Sequence, residues 1–345
     1  MTEDVLFEKK GGVGWITLNR PKALNALNYD MIGAMDHTLH LWETDPEVKI
    51  VLLKGAGEKG LCAGGDIRSL YESVKSGSSA HHQFFKEEYA LNEYIYSYPK
   101  PYIAVMDGIV MGGGMGISQG AQFRIVTERS KIAMPEVAIG FFPDVGASHF
   151  LKQCPGHIAN YLAITGLTVG PEDAIYANLA DCHLASEHLD SFYQAIQNQT
   201  RENTPVQLKE ILLSLGARFV PQKASLQERA ELIETVFSLP TVLSMVRNLE
   251  TRADSISQEV LQVMKKRSPL SMVGTHELLK KGKQLSITQC FDFELALGTQ
   301  WFVLGDFVEG VRSVIIDKDH APKWAYSLAE LSHEKLAELI PLFKK

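Results

Sequence analysis

The sequence predicts an α/β protein in which repeated strand, strand, helix units fill roughly the first two hundred residues and a mainly α-helical region follows. Three observations predict this. Short apolar runs bounded by turn residues recur through the first part, as in "KIVLLKG" (49–55) and "PYIAVMDG" (101–108). Glycine-rich turns, "CAGGD" (62–66) and "MGGGMG" (111–116), each precede helical pattern. Beyond about residue 203 the apolar residues fall at helical spacing, with breaks at Pro221, Pro240 and Pro269. The expected division is a core of 1–203 carrying the site, and a helical region of 204–345 packed on it.

The elements follow in order. Val5–Lys9 and Val13–Leu18 are strand-like runs joined by Gly11, Gly12 and Gly14, which predicts an opening hairpin. Asn28 is placed to cap a helix whose Met31, Ile32, Met35, Leu39 and Trp42 share a face. The continuous apolar run in "KIVLLKG" predicts a strand covered on both sides. Helical pattern follows Asp66 and fills much of 82–97; "PYIAVMDG" reads as a strand, "GGGMGISQG" as a helix start, and "FRIVTE" as another strand. The polar stretch "SVKSGSSAHH" (73–82) is expected to be a mobile loop, with His81 and His82 as solvated loop residues. A last helix is expected from near Ser332, with Leu336, Leu339 and Ile340 along one side.

Length and composition narrow the function. A chain of 345 residues with 45% hydrophobic and 22% charged residues builds a core without disulfides or structural metals. A net charge of -7 disfavours nucleic-acid and anionic-membrane binding, which need a basic face. The four cysteines, Cys62, Cys154, Cys182 and Cys290, are far apart and contain no CxxC pair, so a zinc cage and a disulfide framework are both disfavoured and a reducing compartment is expected. The opening "MTEDVLFEKK" has neither the blocks of a signal peptide nor the Arg-rich character of a transit peptide, and no apolar run reaches membrane-spanning length; a cytoplasmic location is the expectation.

Two motifs mislead. "GAGEKG" (55–60) satisfies the dinucleotide-binding GxGxxG pattern, but helical pattern begins only near Asp66, too late for a helix N-terminus to meet a pyrophosphate. "GISQG" (116–120) satisfies the GxSxG elbow of serine hydrolases, yet Ser118 lies ten residues after a strand, inside a helix start, where its hydroxyl is expected to bond backbone.

The chemistry concentrates in "MPEVAIGFFPDVGAS" (134–148). This apolar segment carries two carboxylates, Glu136 and Asp144, and no Lys or Arg to pair with them. Free N-H groups at the two glycine-rich helix starts can stabilise an oxyanion, although glycine there also serves tight packing. Together these features propose an oxyanion hole working with two carboxylates in an apolar pocket. The competing reading of Asp144 is an N-cap for "VGASHFL".

Four segments, "LNRPKALNAL" (18–27), "CAGGDI" (62–67), "DGIVMGGGMGIS" (107–118) and "MPEVAIGFFPDVG" (134–146), resemble in order and spacing the enoyl-CoA hydratase/isomerase, or crotonase, superfamily. The resemblance implies a spiral of ββα units, coenzyme A thioester substrates, an oxyanion hole from the N-H groups of Gly65 and Gly113, and a coenzyme A path lined by Lys22, Leu24 and the turn Ala63, Gly64, Gly65, Asp66. Hydratases of the superfamily carry a second catalytic glutamate where this chain has Gly116, and a small residue where it has Asp144. That exchange, with "FFKEEYALNEY" (84–94) and "DFVEGVRSVIIDKDHAPKW" (306–324), is similar to the 3-hydroxyisobutyryl-CoA hydrolase branch. The branch resemblance implies catalysis by Glu136 and Asp144, with Glu88 at the substrate, and a place in valine breakdown. Glu136 either attacks the thioester directly or activates water. No metal or redox cofactor is implied, coenzyme A being part of the substrate, and self-association is expected from the superfamily. The alternatives are a hydratase or isomerase of the same superfamily and a non-catalytic acyl-CoA-binding protein.

Overall fold

The structure, a computed structural model, describes residues 2–198 and 205–344. It forms two compact units that interleave along the chain: Met1–Asp66, Glu87–Ile132 and Val169–Ala224 make the first, and Ile67–Lys86, Ala133–Thr168 and Ser225–Lys345 the second. The boundary expected at residues 203 and 204 lies outside the described residues. The helix Pro205–Ser214, expected with the C-terminal region, falls in the first unit, because Leu208, Ile211 and Leu212 complete the core of its sheet.

Among the described residues the first unit is built on nine strands: β1 (Val5–Lys10), β2 (Val13–Leu18), β3 (Ile50–Gly55), β4 (Gly60–Cys62), β5 (Tyr102–Met106), β6 (Ile109–Met111), β7 (Phe123–Val126), β8 (Lys131–Ala133, its last residue in the second unit) and β9 (Cys182–His183). The opening pair is an antiparallel hairpin in register from Val5 opposite Leu18 to Lys10 opposite Val13. From β2 onward the large sheet is parallel, in the order β1-β2-β3-β5-β7-β9, while β4, β6 and β8 form a second, smaller sheet. Each repeat thus sends one strand to each sheet before turning. β3 is buried on both faces, as its unbroken apolar run requires: Ile50 and Leu52 pack with Val13, Trp15, Ile103 and Val105 on one side, and Val51 and Leu53 are equally buried on the other. Asn28 caps the helix Tyr29–Thr44 by accepting the Met31 N-H at 2.9 Å, and the five apolar residues expected on its inner face are all buried.

The second unit is helical. Its helices start on side-chain caps that offset their orphan N-H groups: Thr241, Asp254, Ser268, Ser286 and Ser332 each accept a bond from the third residue onward. Pro269 sits at the first helical position after Ser268, where a missing N-H costs nothing. The last helix, His333–Leu339, buries Leu336, with Ile340 buried just beyond it. One short turn in this unit matters most here, the 3-10 turn Glu136–Ile139. It ends at Gly140 in the left-handed region, with φ +73°. The helix Asp306–Val311 lies so close that a Cβ on Gly140 would overlap the Asp306 carbonyl, and one on Gly310 would overlap the backbone of Ile139.

The stretch 73–82 departs from the expected mobile loop. Ser73–Lys75 end one helix and Ala80–His82 begin the next, Ala80–Tyr96. His81 is 6% exposed, with its Nδ1 3.0 Å from the Ser73 hydroxyl and its ring 4.8 Å from that of Phe302. The ring faces contribute apolar burial and the hydroxyl satisfies the nitrogen, so a residue read as solvated is part of the second unit's core, and burial lowers its pKa.

The glycine contacts make a paired prediction. Gly140→Ala should destabilise the protein by roughly 3 kcal/mol or more, through a left-handed backbone and a clash with backbone atoms that cannot move aside. Gly33 lies exposed within the helix Tyr29–Thr44 with nothing within 4 Å of an added Cβ, so Gly33→Ala should stabilise by about 0.5–1 kcal/mol. Urea midpoints at matched m-values check both; equal small shifts would contradict the packing described for Gly140.

Candidate active site

In the first unit the chain places Gly65, Gly113 and Glu88 together. Leu27 donates its N-H to the Gly64 carbonyl at 2.8 Å and accepts from the Asp66 N-H at 2.8 Å. In such a parallel bridge the intervening residue, Gly65, turns its own N-H and carbonyl away from Leu27. On that side lies Gly113, the first residue of the helix Gly113–Gln119, where N-H groups have no acceptor within the helix. A Cβ on Gly113 would overlap Oε1 of Glu88, which is 2% exposed. Only glycine therefore leaves room for this carboxylate beside the helix start.

The turn Ala63, Gly64, Gly65, Asp66 is tied down by residues the sequence reading did not single out. Arg20 donates to the Asp66 carboxylate at 3.0 Å and to the Ala26 carbonyl at 2.7 Å. Asn25, in a left-handed conformation at φ +55°, donates to the Ala56 and Gly60 carbonyls and accepts from the Arg20 N-H. Leu24 shares that conformation and its carbonyl receives the Ala63 N-H, while Lys22 is exposed on the short turn Pro21–Ala23. A visible signal for Asn25 existed: asparagine tolerates positive φ and its amide can replace missing backbone partners.

In the second unit Glu136 and Asp144 are both buried, 7% and 5% exposed. Glu136 opens its 3-10 turn, and that turn is gripped from several directions. The Ser268 N-H donates to the Val137 carbonyl at 3.1 Å, the Ser268 hydroxyl donates to Asp306 at 2.6 Å, and Trp301 Nε1 donates to the Gly140 carbonyl at 2.9 Å. Burial raises the Asp306 carboxyl above its ordinary value. Asp144 precedes two residues in the left-handed region, Val145 at φ +54° and Gly146 at φ +85°. The N-cap of the following short helix, Ala147–Phe150, is Gly146, not Asp144, and Glu294 receives the N-H groups of Gly146 and Ser148 there. Glu294 is fully buried, accepts the Gly146 N-H at 2.7 Å and the Ser148 N-H and hydroxyl at 2.9 and 2.5 Å, and was missed by sequence reasoning.

Other nucleophiles and cofactors fit less well. Ser118 sits inside its helix and donates to the Gly114 carbonyl at 2.6 Å, fully buried, as expected of a back-bonded helical serine. All four cysteines are buried, and burial pushes the Cys62 and Cys182 thiols up to about 12, so neither is a thiolate at neutral pH. After "GAGEKG" the chain enters strand β4 and not a helix, so no helix N-terminus meets those glycines. Among the described residues no group of three or more His, Cys, Asp or Glu is placed to hold a metal ion, and no helix is long and apolar enough to cross a membrane.

Two outcomes are expected. Ser118→Ala should keep catalytic turnover within about threefold of the parent, losing only about 1 kcal/mol of stability; loss of turnover in a folded variant would revive the serine reading. Burial pushes Glu294 up to about 8 from an ordinary 4.5. In the unfolded chain it releases its proton near the lower value, so folding stability is full below that pH and falls as pH rises through the folded pKa. The melting-temperature advantage of wild type over Glu294→Gln should therefore be largest near pH 5 and shrink toward pH 9. A constant difference across that range would contradict the raised pKa.

The enoyl-CoA hydratase/isomerase family profile matches residues 13–340. The chain is 40% identical over 343 residues to the mitochondrial 3-hydroxyisobutyryl-CoA hydrolase of Danio rerio, covering 96% of this chain and 87% of that protein. It is 40% identical over 342 residues to the Homo sapiens protein of the same name, covering 97% and 87%. Among solved structures, a carnitinyl-CoA dehydratase from Mycobacterium thermoresistibile superposes with a TM-score of 0.91 at 36% identity, covering 100% of this chain and 97% of that one. An enoyl-CoA hydratase from Rhodobacter sphaeroides 2.4.1 gives 0.88 at 34% identity, covering 98% and 97%. The strand, strand, helix repeats, the paired glycine-rich turns and the acid-bearing turn thus occur in a chain that belongs to the enoyl-CoA hydratase/isomerase family.

Proposed function

We propose that the protein hydrolyses a short 3-hydroxyacyl-CoA thioester, 3-hydroxyisobutyryl-CoA, to the free hydroxy acid and coenzyme A, and so serves valine breakdown. The observation that carries this reading is at position 116. Gly116 is buried within the helix Gly113–Gln119 and supplies no carboxylate, whereas Glu136 and Asp144 are both present and buried. Hydration needs two placed acid-base groups across a double bond, and this chain lacks the one that the hydratase pattern puts there. The names of the curated relatives support the same substrate.

On this reading the N-H groups of Gly65 and Gly113 receive the thioester oxygen as it becomes an oxyanion; loss of one such donor costs about a hundredfold or more in rate. Glu136 then acts in one of two ways. Its carboxylate attacks the carbonyl carbon, the C-S bond breaks, coenzyme A leaves as the thiolate and takes up a proton, and water opens the resulting anhydride. Otherwise Glu136 takes a proton from water as that water attacks. Asp144 orients the 3-hydroxyl or the water, and Glu88 contacts substrate. Lys22, Leu24 and the Ala63–Asp66 turn line the coenzyme A path. No metal or redox cofactor takes part, and the protein works as a homo-oligomer in a reducing, cytoplasmic setting.

The hydratase reading is the second one, favoured by the solved structures described above as a dehydratase and a hydratase. Purified protein incubated with 3-hydroxyisobutyryl-CoA and, separately, crotonyl-CoA distinguishes the two when free thiol and enoyl absorbance are followed independently. Thiol release with the first and no enoyl loss with the second is the expected result; faster hydration than hydrolysis would promote the second reading. Glu136→Gln should lower kcat by about a thousandfold while a non-cleavable thioether analogue still binds, because the amide keeps shape and loses the base or nucleophile. Wild-type turnover in that variant would remove Glu136 from the mechanism.

A further inference from the structure

We propose that Glu294 is a positioning residue that acts through Asp144, holding the loop that carries this acid in its working geometry. The inference rests on the role given to Asp144 above.

The helix Ile287–Trp301 lays one stripe along the loop 140–148. Phe291, Glu294, Gly298 and Trp301 are spaced three, four and three residues apart, so they share a single helix face. Each meets this loop. A Cβ on Gly146 would lie 2.8 Å from the Phe291 ring, and one on Gly298 would lie 3.8 Å from the Phe141 ring. Trp301 donates to the Gly140 carbonyl at 2.9 Å, and its ring stands edge-on to Phe142 at 5.1 Å. Glu294 receives the Gly146 N-H, the Ser148 N-H and the Ser148 hydroxyl. The loop is therefore pinned at Gly140 on one side of Asp144 and at Gly146 and Ser148 on the other.

The second pin is the demanding one. Val145 is β-branched and left-handed, a conformation that persists only where the surroundings over-determine it. With Gly146 also at positive φ, the backbone reverses directly after Asp144, and its direction there depends on what receives the N-H groups of Gly146 and Ser148. The glutamate side chain suits that job because both of its oxygens accept, Oε2 from Gly146 and Oε1 from Ser148, and the hydroxyl oxygen of the neutral acid retains a lone pair for this as the carboxylate does. A glutamine presents one acceptor and one N-H₂ group, so it would face one of those donors with a donor. Burial is the main cause of the raised Glu294 pKa, and Asp144 adds to it, which places the two acids in one electrostatic neighbourhood.

The test is a double-mutant cycle of Glu294→Gln and Asp144→Asn in the full chain. Activity is expressed per binding-competent molecule, counted by calorimetric titration with a non-cleavable thioether analogue of the substrate, so a misfolded fraction does not lower the apparent kcat. Glu294→Gln should lower kcat about tenfold with KM changed less than about threefold, and in the Asp144→Asn background it should cost less than about twofold more. Independent, multiplying losses would overturn the inference, as would unchanged kcat in Glu294→Gln. Wild-type kcat in Asp144→Asn alone would instead sink the Asp144 role, and the inference with it, while leaving the Glu136 result standing. If Glu294→Gln does not fold, Ser148→Ala carries the same comparison, since it removes only the hydroxyl donor: a kcat loss of about threefold that vanishes in the Asp144→Asn background supports the inference, and unchanged kcat overturns it.

Discussion

Holding buried acids in a fixed geometry is the constraint on which the second unit depends. Glu136, Asp144 and Glu294 are all buried, and the segment that carries the first two has no basic residue. Desolvation of such groups is costly, so the backbone that carries them must be held where their partners can reach them. The Trp301 indole, the Ser268 N-H and close approach at Gly140 and Gly310 fix the Glu136 turn from outside. The reach of the C-terminal third is explained by this: Asp306 and Gly310, far along the sequence, belong to the support of a turn at 136–140.

The first unit solves a related problem with different means. Its turn at 63–66 is shaped by the hydrogen bond that Leu27 donates to Gly64, the one it accepts from Asp66, and the ion pair of Arg20 with Asp66, which hold the peptide around Gly65 in one orientation. Glu88 fills the space that a side chain on residue 113 would take. A substitution at Gly113 thus does two things at once, displacing a carboxylate and altering a helix start, and the two effects are inseparable by mutation at that position alone.

Much of this was legible in the sequence where the controlling interactions are local. The Asn28 cap, the opening hairpin, the two-sided burial of "KIVLLKG" and the back-bonded Ser118 each follow from residues within one turn or one strand of each other. The two misleading motifs were separable for the same reason, since what the chain does directly after the glycines decides the matter. Glu294 was not legible. In "FDFELALGTQW" it reads as an ordinary helical acid, and its partners lie 146 and 148 positions earlier. His81 failed in the opposite direction: a polar local composition pointed to solvent, while Phe302 and the Ser73 hydroxyl, one distant and one near, made burial favourable. The helix Pro205–Ser214 was recognisable as a helix, but its membership of the first unit depends on which strands Leu208, Ile211 and Leu212 cover, and periodicity carries no such information.

Solved structures described as a dehydratase and a hydratase overlap this chain almost throughout, and curated relatives of similar identity are named as hydrolases. These findings are compatible because a fold fixes where donors and acids stand, and a few side chains decide what they do. A thioester held by two N-H donors accumulates negative charge on its oxygen whether carbon 1 is attacked or carbon 2 is protonated, so the same pair of donors serves hydrolysis and hydration alike. The branch point lies in proton traffic. Hydration must deliver a hydroxyl to one carbon and a proton to its neighbour, which calls for two acid-base groups on one face of the double bond. Hydrolysis needs a single nucleophile or base aimed at carbon 1. On the proposed hydrolase reading, glycine at 116 withholds a group from the hydration route, and the aspartate in the tightly gripped loop at 144 is the acid offered to the other.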